Sequence, residues 1–354
     1  MTRMECEAYR QDVGHVASLD LPWERLKGKT FLISGGTGMI GTFLIDVLMQ
    51  KKRCAGLNCN VIALTRNPEK AALRATPEWQ QYVRFLQCNV ARQQPEPGCH
   101  VDFVIHAASN THPVAYATDP IGTITTNIIG TQNMLEAAAT LQAERILFLS
   151  SVEIYGENRE DCEYFDEDYC GYINCNTLRA GYPEGKRAGE ALCQAYIRQK
   201  DLDIVIPRLP RIFGPTMLES DTKAISQFLK KGLAHEDIIL KSEGTQLFSY
   251  SYVADAVSGL FYCLFFGESG QAYNIGDPGC DITLKALARL IADWAGTQVV
   301  FELPDQTEKA GYSKATKALL KADRLKALGW RSQYQMSAAV ERTLNILASM
   351  KNGI

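Results

Sequence analysis

Several features that would indicate a metal, nucleic-acid or membrane function are scarce in this sequence. Its 354 residues include five histidines, and its 11 cysteines form no Cys-x-x-Cys pair, so a structural metal site is not expected. The net charge of −3 gives no basic field to attract nucleic acid or anionic lipid. Apolar runs such as GLFYCLFFG (259–267) are far too short to span a bilayer. We therefore predict no metal, no nucleic-acid partner and no membrane partner.

The beginning of the chain also lacks the pattern of a secretory signal, because its first 20 residues are polar and include acids. Cysteines scattered without paired spacing are typical of reduced thiols. These two observations predict a cytoplasmic protein.

What the sequence does contain is a regular alternation of apolar strands and amphipathic helices. Strand patterns lie at 30–34, 60–66, 82–90, 101–109, 145–151 and 202–209, and helix patterns lie at 39–51, 121–143 and 180–200. Strands that alternate with helices form βαβ crossovers and a parallel sheet. The sequence therefore predicts an α/β fold, a Rossmann-type doubly wound parallel sheet.

The alternation weakens in the second half of the chain. We predict a dinucleotide-binding Rossmann domain over residues 1–206, with a return segment near 249–265. Residues 207–354 would form most of a smaller C-terminal α/β substrate-binding domain. Within it, 281–296 reads as an amphipathic helix, with Thr283 near its N-cap and Gly296 at its end.

A glycine-rich loop follows the first predicted strand. In SGGTGMIG, Gly35, Gly38 and Gly41 follow that strand, and Gly41 comes just after Met39 and Ile40 in the first turn of the next helix. The first glycine permits a tight turn, the second lets the backbone approach a pyrophosphate, and the third allows close packing of helix on strand. The helix N-terminus then faces the phosphates. A glycine-rich turn without a ligand is the alternative, but the flanking strand and helix favour a dinucleotide site.

The end of the second strand carries information on the cofactor. The acidic residue that usually holds a ribose hydroxyl of NAD is replaced by Thr65-Arg66-Asn67. Arginine at this place accommodates a 2′-phosphate, so the local chemistry favours NADP over NAD. Alternatively, Arg66 stacks on adenine, which fits either cofactor.

A tyrosine and a lysine one helical turn apart, Tyr182 and Lys186, follow in AGYPEGKRAGEALCQAY. Together with the glycine loop, this Tyr-x-x-x-Lys pair resembles the short-chain dehydrogenase/reductase superfamily, and GGTGMIG resembles its extended branch, the NAD-dependent epimerase/dehydratase family. YPEGKR is similar to the YDEGKR signature of UDP-glucuronate decarboxylases. The resemblance extends from about Thr30 to Trp330 and implies a nucleotide-sugar substrate.

The resemblance implies roles for individual residues. Tyr182 would be the general base for a sugar hydroxyl. A free tyrosine is a poor base at neutral pH, and the charge of Lys186 would favour its phenolate. Ser151 would bind the same hydroxyl. Further cofactor contacts are expected from Asn89, Ala107, Ala108 and Asn127, and substrate contacts from Ser109, Arg208 and Arg211.

Chemistry in this branch starts by oxidising the sugar at C4, which gives a 4-keto intermediate. Related dehydratases carry an acid-base pair where this chain has Val152 and Glu153. Valine cannot protonate a leaving hydroxyl, which disfavours dehydration. Glu153 could move a proton beside the ketone, or it could be a structural carboxylate bound to backbone or arginine. Decarboxylation of a uronic acid and C4 epimerisation are therefore the leading outcomes.

Two alternatives to these outcomes remain. One is an NADP-dependent keto-sugar reductase. The other is a catalytically inactive dinucleotide-sensing protein, which is disfavoured because Tyr182 and Lys186 are both present. The resemblance also implies a homodimer formed through the helices at 121–143 and 180–200.

Two positions depart from the pattern of the decarboxylases. Arg211 stands where an asparagine usually contacts the nucleotide sugar, and Phe248 stands where an arginine often meets the pyrophosphate. Arg211 could bind a substrate phosphate or a sugar carboxylate. It could equally pair with Glu153, or the two changes could mark a different activated substrate. Phe248, Tyr250 and Tyr252 alternate as on a strand that packs a core.

Overall fold

A computed structural model describes residues 2–111, 113–302 and 315–351. Its strands are β1 (Thr30–Ser34), β2 (Asn60–Thr65), β3 (Val83–Gln87), β4 (Phe103–His106), β5 (Arg145–Phe148), β6 (Ser150–Ser151), β7 (Ile204–Leu209), β8 (Arg211–Phe213), β9 (Ile238–Leu240), β10 (Leu247–Tyr252), β11 (Ala272–Asn274), β12 (Asp281–Thr283), β13 (Val299–Phe301) and β14 (Lys317–Ala318). Its α-helices are α1 (Glu7–Ala17), α2 (Met39–Ala55), α3 (Pro68–Ala72), α4 (Pro77–Tyr82), α5 (Pro113–Thr118), α6 (Pro120–Thr140), α7 (Gly181–Lys200), α8 (Ala224–Leu233), α9 (Val253–Phe266), α10 (Leu284–Ala295), α11 (Asp323–Ala327) and α12 (Met336–Lys351).

In the part of the chain that the structure describes, the main sheet has eight parallel strands. Seven run in the order β11-β7-β5-β4-β1-β2-β3, and β6 pairs with β7. The strand order reverses between β1 and β4, which is the topological switch point where doubly wound sheets bind ligands. Apolar side chains fill both faces of the sheet, as buried parallel strands require. The predicted Rossmann-type fold class is confirmed.

Several strands are shorter in the structure than in the sequence pattern, and two of them end early at the carboxyl edge of the sheet. The strand predicted over 101–109 ends at His106, because the backbone N–H of Ala108 turns to the Ser34 hydroxyl. The strand predicted over 145–151 breaks between β5 and β6 at Leu149, whose N–H donates to the His106 carbonyl. Both breaks lie at the carboxyl edge of the sheet, where the site forms.

A second group of strands packs beside this edge. The central strand, β10, pairs with β8, β12 and β14, and β13 pairs with β9. The predicted helix at 281–296 begins only at Leu284, since 281–283 form β12 against β10. Thr283 caps α10 through its side chain, and Gly296 ends it at a φ of 67°. The division of the chain into two domains stays a prediction.

The N-terminal helix α1 connects both parts of the chain through a fully buried carboxylate, Asp12. Asp12 accepts hydrogen bonds from the Tyr252 hydroxyl at 2.6 Å, the Tyr334 hydroxyl at 2.6 Å and Arg342 Nε at 2.5 Å. Tyr252 belongs to β10, and Arg342 belongs to α12. None of the helices in the described residues is both long and apolar enough to cross a bilayer.

Candidate active site

The glycine loop forms a cradle that side chains would fill. Gly35 has a φ of 71°, and a Cβ there would lie 2.7 Å from the carbonyl carbon of Ala107. A Cβ on Gly41 would lie 2.7 Å from Gly36 Cα. Gly38 is the N-cap of α2 and has no side chain to bond the first-turn N–H groups, which are therefore available to phosphate oxygens. The cradle fits a dinucleotide pyrophosphate.

The loop opens into a cavity of about 1260 Å³. Most of the predicted site residues line it: Gly35, Gly38, Met39, Ile40, Gly41, Arg66, Asn89, Ala107, Ala108, Ser109, Ser151, Glu153, Tyr182, Lys186 and Arg211. The first and last of them in the sequence, Gly35 and Arg211, are 176 positions apart (211 − 35), and the parallel sheet brings them together at one edge.

Helix α7 begins with Gly-Tyr-Pro-Glu-Gly, although glycine and proline are poor helix formers. Pro183 lies in the first helical turn, where a backbone N–H has no intrahelical partner and its absence costs nothing. A Cβ on Gly185 would lie 2.9 Å from Asn127 Cβ, and one on Gly189 would lie 2.5 Å from the Phe148 ring. The two glycines therefore let α7 pack closely against α6 and the sheet. This packing fixes Tyr182 at the cavity.

Tyr182 is buried, and its phenol lies close enough to the Ser151 hydroxyl to interact with it. Burial raises the pKa of Tyr182 to about 12, and the Ser151 hydrogen bond and the charge of Arg179 oppose that rise. Tyr116 stacks on Tyr182, with ring centroids 5.3 Å apart. The arrangement holds the phenol in a fixed orientation and keeps it protonated at neutral pH.

Lys186 lies one helical turn further along α7. Its ammonium donates to the carbonyl of Leu149 at 2.7 Å and lies 4.9 Å from the centre of the Phe148 ring. Burial lowers the pKa of Lys186 to about 8, and the charge of Glu190 partly offsets this. Lys186 is not among the groups that shift the pKa of Tyr182 here, where burial has the largest effect. That the charge of Lys186 favours the phenolate of Tyr182 stays a prediction.

Glu153 lies between two arginines. Its carboxylate accepts a hydrogen bond from Arg179 Nη2 at 2.9 Å and lies 3.6 Å from Arg211 Nη2. The predicted pairing of Arg211 with Glu153 is thus present. The Arg211 guanidinium also covers the ring of Phe248, 3.5 Å from its centre. The structural alternative for Glu153, a carboxylate bound to arginine, matches these contacts.

Two predicted site residues lie outside the cavity wall. Arg208 is buried, ion-paired with Glu190 at 2.6 Å, and bonded to the Tyr155 hydroxyl and the Glu167 carbonyl. Its donors are engaged within the protein, so we correct the prediction that Arg208 binds substrate. Asn127 lies behind Ser109, whose hydroxyl donates to it at 2.9 Å. A direct contact of Asn127 with the cofactor is likewise not part of this geometry.

Comparison with known proteins gives the same picture as the site. The NAD dependent epimerase/dehydratase family matches residues 31–276. The chain belongs to this family. UDP-glucuronic acid decarboxylase 3 of Arabidopsis thaliana is 32% identical over 295 residues, which cover 81% of this chain and 82% of the plant protein.

Two solved structures share the fold at low sequence identity. The UDP-glucose 4-epimerase of Thermotoga maritima superposes with a TM-score of 0.77 at 20% identity, covering 91% of this chain and 99% of that one. The UDP-glucuronic acid 4-epimerase of Bacillus cereus, in complex with UDP-glucuronic acid and NAD, gives 0.74 at 18% identity, covering 91% and 99%. These likenesses confirm the fold of the family.

The cavity wall is rich in positive charge, a feature that the sequence motifs did not reveal. Among the described residues its cations are Arg66, Lys70, Arg74, Arg179, Lys186, Arg211, Lys223, Lys231 and Lys241, and its carboxylates are Glu153 and Asp221. Both carboxylates are ion-paired, Glu153 with the two arginines and Asp221 with Lys223 at 2.6 Å. A wall of this charge suits ligands that carry several phosphates.

Sequence analysis also missed the role of His106, which directly precedes Ala107 and Ala108. His106 is buried at the end of β4, with Nδ1 2.7 Å from the Ser34 hydroxyl and Nε2 3.2 Å from the Thr131 hydroxyl. The Ser34 hydroxyl in turn accepts from the N–H of Ala108. Burial lowers the pKa of His106 to about 3, and the charge of Lys186 acts in the same direction. A neutral histidine therefore supports the backbone around the glycine loop.

Proposed function

We propose that this protein is an enzyme that oxidises a nucleotide-activated sugar at C4 and acts on the resulting 4-keto intermediate. The observation that carries the proposal is the contact of Ser151 with Tyr182 in the cavity that begins at the glycine loop. A bound NAD or NADP supplies the hydride acceptor for this chemistry. The protein's own residues supply the binding of the sugar and the movement of its hydroxyl proton.

Tyr182 takes the proton from the C4 hydroxyl as the C4–H bond breaks, and it returns a proton to the C4 oxygen in the reverse step. Ser151 orients that oxygen. Because burial raises the pKa of Tyr182, its protonated form is ready to donate to a keto oxygen, whereas its action as a base needs added positive charge nearby. Lys186, which lines the cavity and whose ammonium donates to the Leu149 carbonyl, is the residue we assign to stabilise the phenolate of Tyr182 and to hold the nicotinamide ribose.

For the cofactor we propose NADP in preference to NAD. Arg66 and Lys70 line the cavity just beyond β2, and both are exposed to it. Two cations at this place favour a 2′-phosphate over a ribose diol. The structural neighbour from Bacillus cereus was solved in complex with NAD. A preference of this protein for NAD would agree with that neighbour and contradict our proposal. Titration calorimetry with NADP and NAD decides the question, and Arg66→Ala should weaken NADP binding about tenfold or more while changing NAD binding little.

For the reaction that follows oxidation, we propose decarboxylation of UDP-glucuronate. The support is the relatedness to UDP-glucuronic acid decarboxylases across four-fifths of the chain and the valine at position 152, which disfavours dehydration. C4 epimerisation is the second candidate, because Glu153 is held by two arginines and epimerisation needs Tyr182 and Ser151 without a further proton carrier.

The experiment is mass spectrometry of the products formed from UDP-glucuronate with each dinucleotide. Loss of carbon dioxide supports decarboxylation, and an unchanged mass with a new chromatographic position supports epimerisation. Tyr182→Phe should lower turnover about 100-fold or more. Tyr82→Phe, a change at an exposed tyrosine outside the cavity, should not. Equal turnover by the Tyr182→Phe variant would contradict the role of the phenol.

We also propose a homodimer through α6 and α7, which light scattering tests.

A further inference from the structure

The guanidinium of Arg211 has an unusual environment in the cavity wall. It rests on the ring of Phe248 and lies 3.6 Å from Glu153, and its Nη1 is buried without a hydrogen-bond partner in the described part of the chain. A buried guanidinium in a folded protein ordinarily has most of its donors engaged. Arg208 in the same chain does, since it makes four hydrogen bonds. Arg211 is therefore held by its ion pair with Glu153 and by the Phe248 ring, while N–H groups of its Nη1 have no hydrogen-bond partner in the described part of the chain.

The charges around Arg211 do not balance. Glu153 is the carboxylate it meets, and that carboxylate already receives the shorter contact from Arg179, at 2.9 Å against 3.6 Å. One negative charge cannot neutralise two guanidinium groups. Because only 24% of the Arg179 side chain and 19% of the Arg211 side chain are exposed, the remaining positive charge is screened less than at the surface.

This surplus charge lies at the reacting end of the cavity. The Arg179 guanidinium lies 5.8 Å from the centre of the Tyr116 ring, and Arg211 shares the Glu153 carboxylate with Arg179. Tyr116 is stacked on Tyr182. The cation of Arg211 thus lies in the neighbourhood of the phenol that we assign to the chemistry.

We propose that Arg211 binds a carboxylate carried by the sugar of the substrate, and that it thereby selects a nucleotide-activated uronic acid over a neutral sugar. Two parallel N–H groups of a guanidinium match the two oxygens of a carboxylate. The pairing would satisfy unused donors and neutralise the surplus charge. This inference rests on the proposed function and names the feature by which the site distinguishes its substrate.

The test compares UDP-glucuronate with UDP-glucose, which differ at C6 in carrying a carboxylate or a hydroxymethyl group. Binding is measured by titration calorimetry with the dinucleotide present and in the Tyr182→Phe background, so that no turnover consumes the ligand. Arg211→Gln should weaken UDP-glucuronate binding about 10- to 100-fold and change UDP-glucose binding by less than about threefold. Arg211→Lys, which keeps the charge, should recover part of the loss. Arg289→Gln, at an exposed arginine of α10, is the matched control.

Several results would overturn the inference. Equal losses for both ligands would assign Arg211 to the phosphates, and unchanged binding would leave it as a partner of Glu153 alone. An equal loss for Arg211→Lys and Arg211→Gln would contradict a role for charge. Failure of the parent protein to prefer the acid would refute the selection. If the protein does not prefer the acid but still converts UDP-glucose in a reaction that needs Tyr182, the proposed function stands and only the role of Arg211 is refuted. The two proposals can therefore fail separately.

Discussion

The buried histidine beside the glycine loop makes the stability of this protein depend on pH. His106 has a pKa of about 3 in the folded chain and about 6.5 in an unfolded one. Between these values the unfolded state binds more protons than the folded state, so the free energy of unfolding falls as the pH drops below about 6.5. Each pH unit in this window costs about 1.4 kcal/mol, which gives roughly 2 kcal/mol at about pH 5.

Another buried group acts in the opposite direction, so the effect must be measured as a difference. Burial raises the pKa of Asp255 to about 6, and hydrogen bonds from the backbone of Gln333 and the hydroxyl of Ser332 partly oppose this. A carboxyl whose folded pKa is raised gains stability as the pH falls below that value. The comparison of wild type with His106→Gln cancels this contribution, because Asp255 is present in both.

The assay is urea unfolding at about pH 7.5 and about pH 5. Wild type should lose roughly 2 kcal/mol more than His106→Gln between the two conditions. His100→Gln, a change at an exposed histidine, should behave like wild type. If the wild type and His106→Gln lost the same stability, the reasoning from burial and from the contacts with Ser34 and Thr131 would be wrong.

Two further predictions test the loop and the N-terminal helix. Gly41→Ala should lower dinucleotide affinity about tenfold or more in calorimetry, because its Cβ would displace the loop at Gly35. Gly14→Ala has open space and should bind normally, so a loss there would contradict the steric argument. Asp12→Ala should reduce the free energy of unfolding by about 3 kcal/mol in urea, since two tyrosine hydroxyls and one arginine lose their buried acceptor. A change below about 1 kcal/mol would mean that solvent replaces the carboxylate.

The fold could be predicted because its signals are local. The glycine loop, the apolar strands and the cap and stop of α10 depend on neighbouring residues in the sequence. The strand ends could not be placed, since tertiary hydrogen bonds determine them. Leu149 fits the strand pattern, yet its N–H bonds His106 and its carbonyl bonds Lys186.

The placement of residues at the candidate site could be predicted where a sequence motif carries them, as with Tyr182 and Ser151, which both line the cavity. It could not be predicted where the role depends on a distant partner. Arg208 reads as a substrate ligand until Glu190, on α7, is seen to neutralise it. Arg179 is the reverse case: it stands three residues before Tyr182 in the sequence, but its contact with Glu153 exists only in the folded chain.

Arg211 and Phe248, the two positions that depart from the family pattern, contact each other because their strands are paired. β8 and β10 run in parallel, with Arg211 opposite Tyr250, so a long side chain at 211 reaches the ring at 248 two residues away on the neighbouring strand. The wall therefore keeps a guanidinium although the arginine of the family pattern is missing. Because the guanidinium now comes from position 211, it lies 3.6 Å from Glu153. A charge so placed acts on the sugar, which is why we expect this exchange to alter substrate choice and to leave the proton transfer at Tyr182 intact.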